Sequence, residues 1–316
     1  MDLSVIICTY NRSTNLESCI EALKNQKDSA GIHWEIVIVD NNSSDDTAVV
    51  VKCLQGRCER IKYLFEQQQG LSWARNRGID ETKSRYLAFI DDDIRVDANW
   101  LRSIYDCFER YKCNAVGGRI YVDSPGPLPT WIQEDMRGFL GHRDFGEKQF
   151  RMDGYQQFPF GGNMCLARSA IDMVDKFDTR MGRKGEGKVA SELFKGEETD
   201  YFNRLADAGG VIYYEPRAIV WHKILPHQLM KRFFRTIHFV AGLQKAGLDK
   251  TVYQRRFLNV PLFVYHQALR AVFRYLWQLF AKGPSSAFRQ QMNVSYFWGM
   301  IKGYNEIKEM EKVKRL

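Results

Sequence analysis

Four short apolar runs, each ending in polar residues and each followed by a different kind of segment, restrict the fold of this chain more than any other feature. "LSVIICTY" (3–10), "WEIVIVDN" (34–41), "IKYLFEQ" (61–67) and "YLAFIDDD" (86–93) are continuous apolar stretches, the pattern of strands covered on both faces. Between them, "STNLESCIEALKNQ" sets Leu16, Ile20 and Leu23 at helical spacing after a Ser/Thr cap signal. "DDTAVVVKCLQG" and "GLSWARNRGIDET" read as two further helices. Strands joined by helices of this length form right-handed βαβ units. The expected fold is therefore α/β, a Rossmann-like, mostly parallel sheet flanked by helices.

The Pro/Gly cluster "DSPGPLP" (123–129) marks a break, after which an irregular middle region is expected to about residue 190. Residues 225–316 read mainly as helices. The sequence thus divides into an α/β region, 1–224, with halves 1–120 and 121–224, and a C-terminal helical region, 225–316. Charge follows the same division. Of 46 Lys/Arg and 38 Asp/Glu, 17 basic and 4 acidic residues lie from Lys223 onward, so the excess positive charge sits in that last segment. Seven cysteines without a CxxC pair fit a reduced, cytosolic compartment better than a zinc site, and "MDLSVIICTY" shows no signal-peptide pattern.

Ligands of open α/β sheets bind beyond the carboxyl ends of the strands. Three such ends are polar here: "TYNR" (9–12), "DNNSSDD" (40–46) and "DDD" (91–93). No GxGxxG or GxxxxGK[ST] follows the first strand, which argues against a dinucleotide site or a P-loop. Asp40 has two readings, hydrogen bonding to a ribose or base edge, or capping of the helix that follows. Asp91, Asp92 and Asp93 repel one another unless a cation joins them; Mg²⁺ or Mn²⁺ bridging to a diphosphate suits oxygen ligands of this kind. The alternative is a solvated loop in which Asp93 or Asp97 caps "ANWLRSIYDCF". Trp131 and "GHRDFGEK" (141–148) either shape an acceptor pocket or belong to a core or lid.

Taken in order from about residue 3 to 245, "VIICTYNR", "EIVIVDNNSSDDT", "GLSWARNRGI", "FIDDDIRVDANWL", "FGGNMCLARSA", "KGEETDYFNRLADAGGVIYYEP" and "VWHK" resemble the successive motifs of family 2 glycosyltransferases with a GT-A fold. The resemblance implies transfer of a sugar from a nucleotide diphosphate sugar, UDP-sugar favoured, with inversion. It places Thr9, Tyr10, Asn11, Arg12, Asp40, Arg75 and Asn76 at the nucleotide, and "DDD" where the family has DxD. Asp91 then falls on the ribose side and Asp93 on the metal, with Asp92 leaving the register open by one residue. Gly162 and Asn163 fall against the sugar, His222 on the metal or diphosphate, and Glu198, with Glu197 in contention, in the place of the catalytic base. Asp200 reads as structural. The implied setting is assembly of bacterial cell-surface polysaccharide.

In the basic C-terminal region, "HQLMKRFFRTIHFVAG" aligns Leu229, Phe233, Ile237 and Val240. "LFVYHQALRAVFRYLWQLFAKG" carries Leu262, Leu269, Phe273, Leu276, Trp277 and Phe280, interrupted by Arg270 and Arg274. No run is long enough to cross a bilayer. These helices suit peripheral contact with the inner face of the plasma membrane, and a glycan or lipid-linked acceptor, or else packing on the catalytic region or a second subunit in a homodimer. Nucleic-acid binding is not expected, because no reader motif appears and the positive charge lies apart from the acidic site. A sugar nucleotidyltransferase and a non-catalytic nucleotide-sugar binder are the competing classes; "TYNRST" is not the basic Gly-rich loop the first would carry.

Overall fold

The structure, a computed structural model, describes residues 1–185 and 196–313, with side chains to residue 306. The end of the expected irregular stretch, 186–190, and Lys195 of the "KGEETD" motif lie outside the described residues. Chain contacts separate two compact units. The first holds residues 1–123, 140–185 and 196–223; the second holds 124–139 and 224–313.

In the first unit β1 (Leu3–Thr9), β2 (Trp34–Asp40), β3 (Ile61–Phe65) and β4 (Tyr86–Asp91) run parallel in the order β3-β2-β1-β4. They are linked by α1 (Ser13–Lys24), α2 (Thr47–Gln55) and α3 (Leu71–Asp80). The register pairs Thr9 with Asp40 and Cys8 with Asp91, so the polar strand ends finish in one row. Leu3, Val5 and Ile7 face Leu16, Ile20, Leu23 and Val51 on one side of the sheet, while Ile6, Val37 and Val39 face Ala74 and Ile79 on the other. Both faces are covered, as continuous apolar strands require.

The middle of the chain is more regular than its sequence indicates. After β5 (Ile94–Val96) and α4 (Trp100–Tyr111) come β6 (Ala115–Asp123), β7 (Phe150–Met152), β8 (Met164–Ala167) and α5 (Arg168–Val174), then α6 (Glu197–Asp207) and β9 (Ile212–Lys223). Strand β8 inserts antiparallel between β4 and β6, β6 runs parallel to β9, and β5 and β7 flank β9 antiparallel. Within the stretch expected to be irregular, 123–190, β7, β8 and α5 are regular elements, and the expectation is corrected at those three. Strands of three or four residues carry too little periodicity to be read. Helix α4 adds Trp100, Leu101, Ile104 and Phe108 to the core, each burial worth roughly 1.5–3 kcal/mol.

Several caps differ from the sequence signals. The amide of Ser13 at the start of α1 donates to Asp45 Oδ2 (3.1 Å), and Asp45 Oδ1 accepts from Thr47 N (3.1 Å), so one carboxylate serves two helices. Asp97 accepts from Asn99 N (2.9 Å) ahead of α4, whereas Asp93 takes no part in that cap. Asp200 pairs with Arg204 along α6 (2.9 Å), a structural role as expected.

The second unit contains α7 (Lys231–Leu248), a hairpin of β10 (Arg256–Phe257) and β11 (Val260–Pro261), and α8 (Leu262–Val313). Helix α8 breaks at Gly283, whose φ of 80° and the following Pro284 end the first helical stretch. Trp131 packs edge-on against Phe234 and Phe288, which assigns it to the core of this unit. The buried face of α7 is Phe234, His238, Val240, Gly242 and Ala246; of the expected stripe of Leu229, Phe233, Ile237 and Val240, only Val240 belongs to it. Aromatic residues at both 233 and 234 make that phase ambiguous in sequence; the Trp131 contact decides it.

Asn163 is fully buried behind the sheet edge. Its Nδ2 donates to the carbonyls of Ala218 (2.8 Å) and Arg119 (3.1 Å), and its Oδ1 accepts from Trp100 Nε1 (2.9 Å). Replacing it strands three buried polar groups. Asn163→Ala is expected to lose roughly 2–4 kcal/mol in urea unfolding, with an unchanged m-value.

Candidate active site

Beyond the strand ends, two arginines each hold a pair of carboxylates. Arg12, just after β1, sends Nη1 to Asp93 Oδ2 (2.9 Å) and Asp92 Oδ1 (3.2 Å). Thr9 Oγ1 donates to the other oxygen of Asp92 (2.7 Å). Asp92 is therefore turned inward and buried, with both oxygens occupied by the first loop. Burial, followed by the charge of Asp93, lifts Asp92 to about 7 despite Arg12. Asp93 keeps its charge: burial opposes it, yet His222 and Arg12, with Arg183 acting in the same sense, hold its carboxyl below the usual range.

His222 reaches Asp93 because β9 pairs Ile94 with His222, and Lys223 N donates to Asp93 O (3.0 Å). Its Nδ1 lies 2.8 Å from the carbonyl of Leu140, so that nitrogen carries the proton. In the neutral ring, Nε2 then turns its lone pair toward Asp93 Oδ1 at 3.4 Å. Asp93 Oδ1 is buried without a hydrogen-bond partner. An imidazole lone pair facing an unpartnered carboxylate oxygen calls for a proton or a cation between or beside them. Burial opposes protonation, but the adjacent Asp93 carboxylate raises the His222 pKa. The same N/O donor pair fits Mg²⁺ or Mn²⁺, which are commonly held by one or two protein ligands and completed by phosphate and water. Among the described residues no three His, Cys, Asp or Glu side chains converge on one point.

The second arginine, Arg75 of α3, is almost fully buried. Its Nη1 meets Glu197 Oε1 and its Nη2 meets Glu198 Oε1, each at 3.0 Å. The two glutamates open α6, where carboxylates are favoured by the helix N-terminus. They differ in access: the Glu197 side chain is 5% exposed and its Oε2 has no partner, whereas Glu198 is 24% exposed. Burial and then the charge of Glu197 raise Glu198 to about 7, against the pull of Arg75. Gly161 and Gly162 pass directly over this group. A Cβ at Gly161 would overlap Glu198 Oε1 and Arg75 Nη2, and one at Gly162 would lie 3.6 Å from Asp91 Oδ2. The glycine pair thus brings backbone between Asp91 and the Arg75–Glu198 contact.

Asp40 forms the third corner. Its Oδ1 accepts from Ser43 N (2.9 Å) and its Oδ2 from Tyr63 OH (2.8 Å), so it braces its own loop while remaining a carboxylate with spare lone pairs. Asn11, at φ 50°, receives Ser44 N on Oδ1 (2.8 Å) and ties the first loop to the second. Tyr10 stands half-buried beside it. Two of the expected residues are turned elsewhere. Asn76 spends both amide atoms on the backbone of Phe177 (2.9 and 3.0 Å), and Asn163 is enclosed as described above. Each supports the site from behind. Sequence reasoning overlooked Arg183, whose backbone carbonyl accepts from Leu71 N (2.8 Å) and whose charge acts on Asp93. The basic "GRKGEGK" run was the available signal.

Residues 4–174 match the family model described as Glycosyl transferase family 2. The chain is 25% identical over 253 residues to a glucosyl-dolichyl phosphate glucuronosyltransferase of Haloferax volcanii, covering 79% of this chain and 78% of that protein. Among solved structures, S. aureus TarS 1–349 in complex with UDP superposes with a TM-score of 0.56 at 13% identity, covering 96% of this chain and 91% of that one. GalNAc-T7 with UDP, GalNAc and Mn²⁺ gives a TM-score of 0.57 at 15% identity, covering 79% and 52% respectively.

Arg12→Met removes the cation between Asp92 and Asp93. Without it Asp92, already raised to about 7 by burial and the charge of Asp93, binds its proton still more tightly in the folded state than in the unfolded chain. Its contribution to stability is therefore lost as pH rises, and Asp93 loses one of the charges that lower it. The variant is expected to be destabilised by about 2 kcal/mol at neutral pH, a value discounted because the Arg12 side chain is 34% exposed. That deficit should shrink as pH falls from about 7 toward the ordinary carboxylate range near 4, as read by thermal unfolding.

Proposed function

The chain belongs to glycosyl transferase family 2, and on that premise we propose that it moves a sugar, with inversion, from a UDP-sugar to a hydroxyl of a glycan or lipid-linked acceptor, with Glu198 as general base. The observation that carries this reading is the pairing of Arg75 with two adjacent glutamates, one enclosed and one open. Glu198 keeps an oxygen free of Arg75, is partly exposed, and has its proton affinity raised to about 7, where a base works near neutral pH. Glu197, enclosed and bound to the same guanidinium, positions Arg75.

The loop Thr9–Arg12 and Asp40 accept the nucleoside, with Tyr63 and Ser43 holding the Asp40 carboxylate in place. Asp91 faces the Gly161–Gly162 backbone, where the donor sugar meets close main chain. Arg12 and Arg183 bring positive charge toward the diphosphate. Asp93 and His222 would hold Mn²⁺ or Mg²⁺, which when bound offsets the charge that builds on the leaving diphosphate. Asp92 stays protonated or paired to Arg12 and anchors the first loop, which makes Asp91 and Asp93 the outer members of the DxD pattern. As the acceptor oxygen attacks the anomeric carbon opposite UDP, Glu198 takes the hydroxyl proton. The carbon passes through an oxocarbenium-like state, and no enzyme nucleophile is needed. UDP as the nucleotide is supported by the ligand of the S. aureus structure, and a lipid-linked acceptor by the dolichyl phosphate of the archaeal relative's name.

Among the described residues no helix is long and apolar enough to cross a membrane. The first half of α8 exposes Leu262, Leu269, Phe273, Leu276 and Phe280, at 46%, 70%, 72%, 42% and 86%, along one helical stripe. We assign that stripe, flanked by Arg270 and Arg274, to peripheral contact with an anionic membrane at its cytoplasmic face. The seven cysteines, all free thiols, agree with a reducing compartment.

Incubation with UDP-sugars and an acceptor extract tests the activity: free UDP without UMP or pyrophosphate marks sugar transfer. Glu198→Gln is expected to retain UDP affinity while transfer falls about 10²–10⁴-fold. Asp93→Ala is expected to lose the Mn²⁺-dependent part of UDP binding in calorimetry. Equal loss of UDP affinity in both variants contradicts this division of roles. Because Glu198 must be ionised and is raised from 4.5 to about 7, the wild-type rate should rise with pH and level off above about 7; a rate flat from pH 5 upward removes Glu198 as the base.

A further inference from the structure

The second unit carries a concavity of about 780 Å³, within the roughly 300–1,000 Å³ typical of small-molecule sites. It has three walls, each a single helical row. Helix α7 contributes Arg232, Arg235, Thr236 and Phe239. The first half of α8 contributes Tyr265, Ala268, Leu269 and Val272, and the second half contributes Gln291, Val294, Ser295, Trp298 and Ile301. Spacings of three and four residues place every member of a row on one face, over a length of about 10–15 Å.

Glycines explain why the trough opens where it does. A Cβ at Gly242 would overlap the carbonyl of Tyr296, and one at Gly299 that of Phe239, so the backbones of α7 and the second half of α8 touch at this crossing. Gly303 repeats the close approach against Leu243. Toward Arg232 and Gln291 no glycine draws the helices together, and the space between them remains. The walls are mainly hydrocarbon. Arg232 and Arg235 stand at the α7 N-terminal end, and no carboxylate among the described residues pairs with either. The surrounding sequence, Lys231 to Lys282, holds ten Lys/Arg and one acid, Asp249.

We propose that this trough binds one hydrocarbon chain of an amphiphile with a phosphate head, the chain lying along Phe239, Leu269, Val272, Val294 and Trp298 and the phosphate meeting Arg232 and Arg235. Charge complementarity selects this occupant. A second copy of the chain docked here about a two-fold axis would set arginines against arginines. A flat bilayer suits the outward stripe of Leu262, Phe273, Leu276 and Phe280, whereas Leu269 at the edge of that stripe lines the concave wall with the small residues Ala268 and Ser295, and that wall admits a single chain. The inference rests on the lipid-linked acceptor reading above, since such an acceptor presents this chemistry, but the site is defined by the second unit alone.

Farnesyl phosphate is the probe, with farnesol and inorganic phosphate as its separate halves, and binding is read by calorimetry on the full chain without any donor. Saturable one-to-one binding of farnesyl phosphate, at least tenfold tighter than farnesol and with no heat from phosphate alone, is the expected result. R232E with R235E should weaken it at least tenfold, and Val294→Trp, which fills the trough, should abolish it. Far-UV circular dichroism and thermal unfolding of each variant report that the helices of the second unit are folded, and Val294→Ile supplies a milder filling if the Trp variant is not. Absence of saturable binding, equal affinity for farnesol, or retention of affinity in both the charge and filling variants overturns the proposal. So does binding only to phosphatidylglycerol vesicles, or a dimer in sedimentation that Leu269→Glu dissolves. Because no donor is present, a chain that transfers sugar yet fails these tests refutes this inference and leaves the proposed activity standing.

Discussion

At 2.9 Å from Asp93 and 3.2 Å from Asp92, the Arg12 guanidinium holds together two carboxylates that the sequence forces side by side. Without a cation, neighbouring buried acids cannot both ionise, and the end of β4 could not carry three of them in succession. One arginine does not complete the compensation. Asp92 has Thr9 and Arg12 on its two oxygens, while Asp93 retains an oxygen that meets only the His222 ring. The asymmetry separates a structural acid from one left open, and it follows from the sheet: β5 runs back along β9, which delivers His222 to Asp93.

The same device recurs at α6. Arg75 lies between Glu197 and Glu198, and the backbone of Gly161 fits against the Arg75–Glu198 contact because that residue carries no Cβ. Burial raises the proton affinity of the carboxylate nearer to solvent, and the enclosed partner adds repulsion in the same direction. A charged group kept fully satisfied would be inert as a base; a group sharing its cation with a neighbour is not. Parallel register and two shared guanidinium groups thus convert scattered acidic motifs into one organised edge of the sheet.

The β1–β4 core and its helices were legible because long apolar runs and helical spacing carry strong periodic signals, and the polar strand ends pointed to the correct edge. The GT-A fold and family membership agree with the order of motifs. Strands β7 and β8 escaped because three or four residues show no period, and their pairing partners are far along the chain. The roles of Asn76 and Asn163 were not readable, since an amide facing a ligand and one bracing a buried turn look alike in sequence. Asp45, which caps two helices from a loop, and Arg183, which acts on Asp93 from a distant segment, depend on tertiary proximity that no local pattern encodes. Part of the phase of α7 was unreadable for a related reason: adjacent phenylalanines leave the choice of face to a tertiary contact, here Trp131.

The central proposal is that Asp93 and His222 form the unfinished side of the acidic edge and would hold a divalent cation there, whose charge would offset that of the nucleotide diphosphate. Anomalous diffraction from crystals soaked with UDP and Mn²⁺ tests this most directly. The account predicts a manganese peak shared by Asp93, His222 and the diphosphate, with Arg12 still bound to Asp92. A diphosphate seated at this edge with no manganese beside Asp93, or manganese bound elsewhere in the chain, would contradict it.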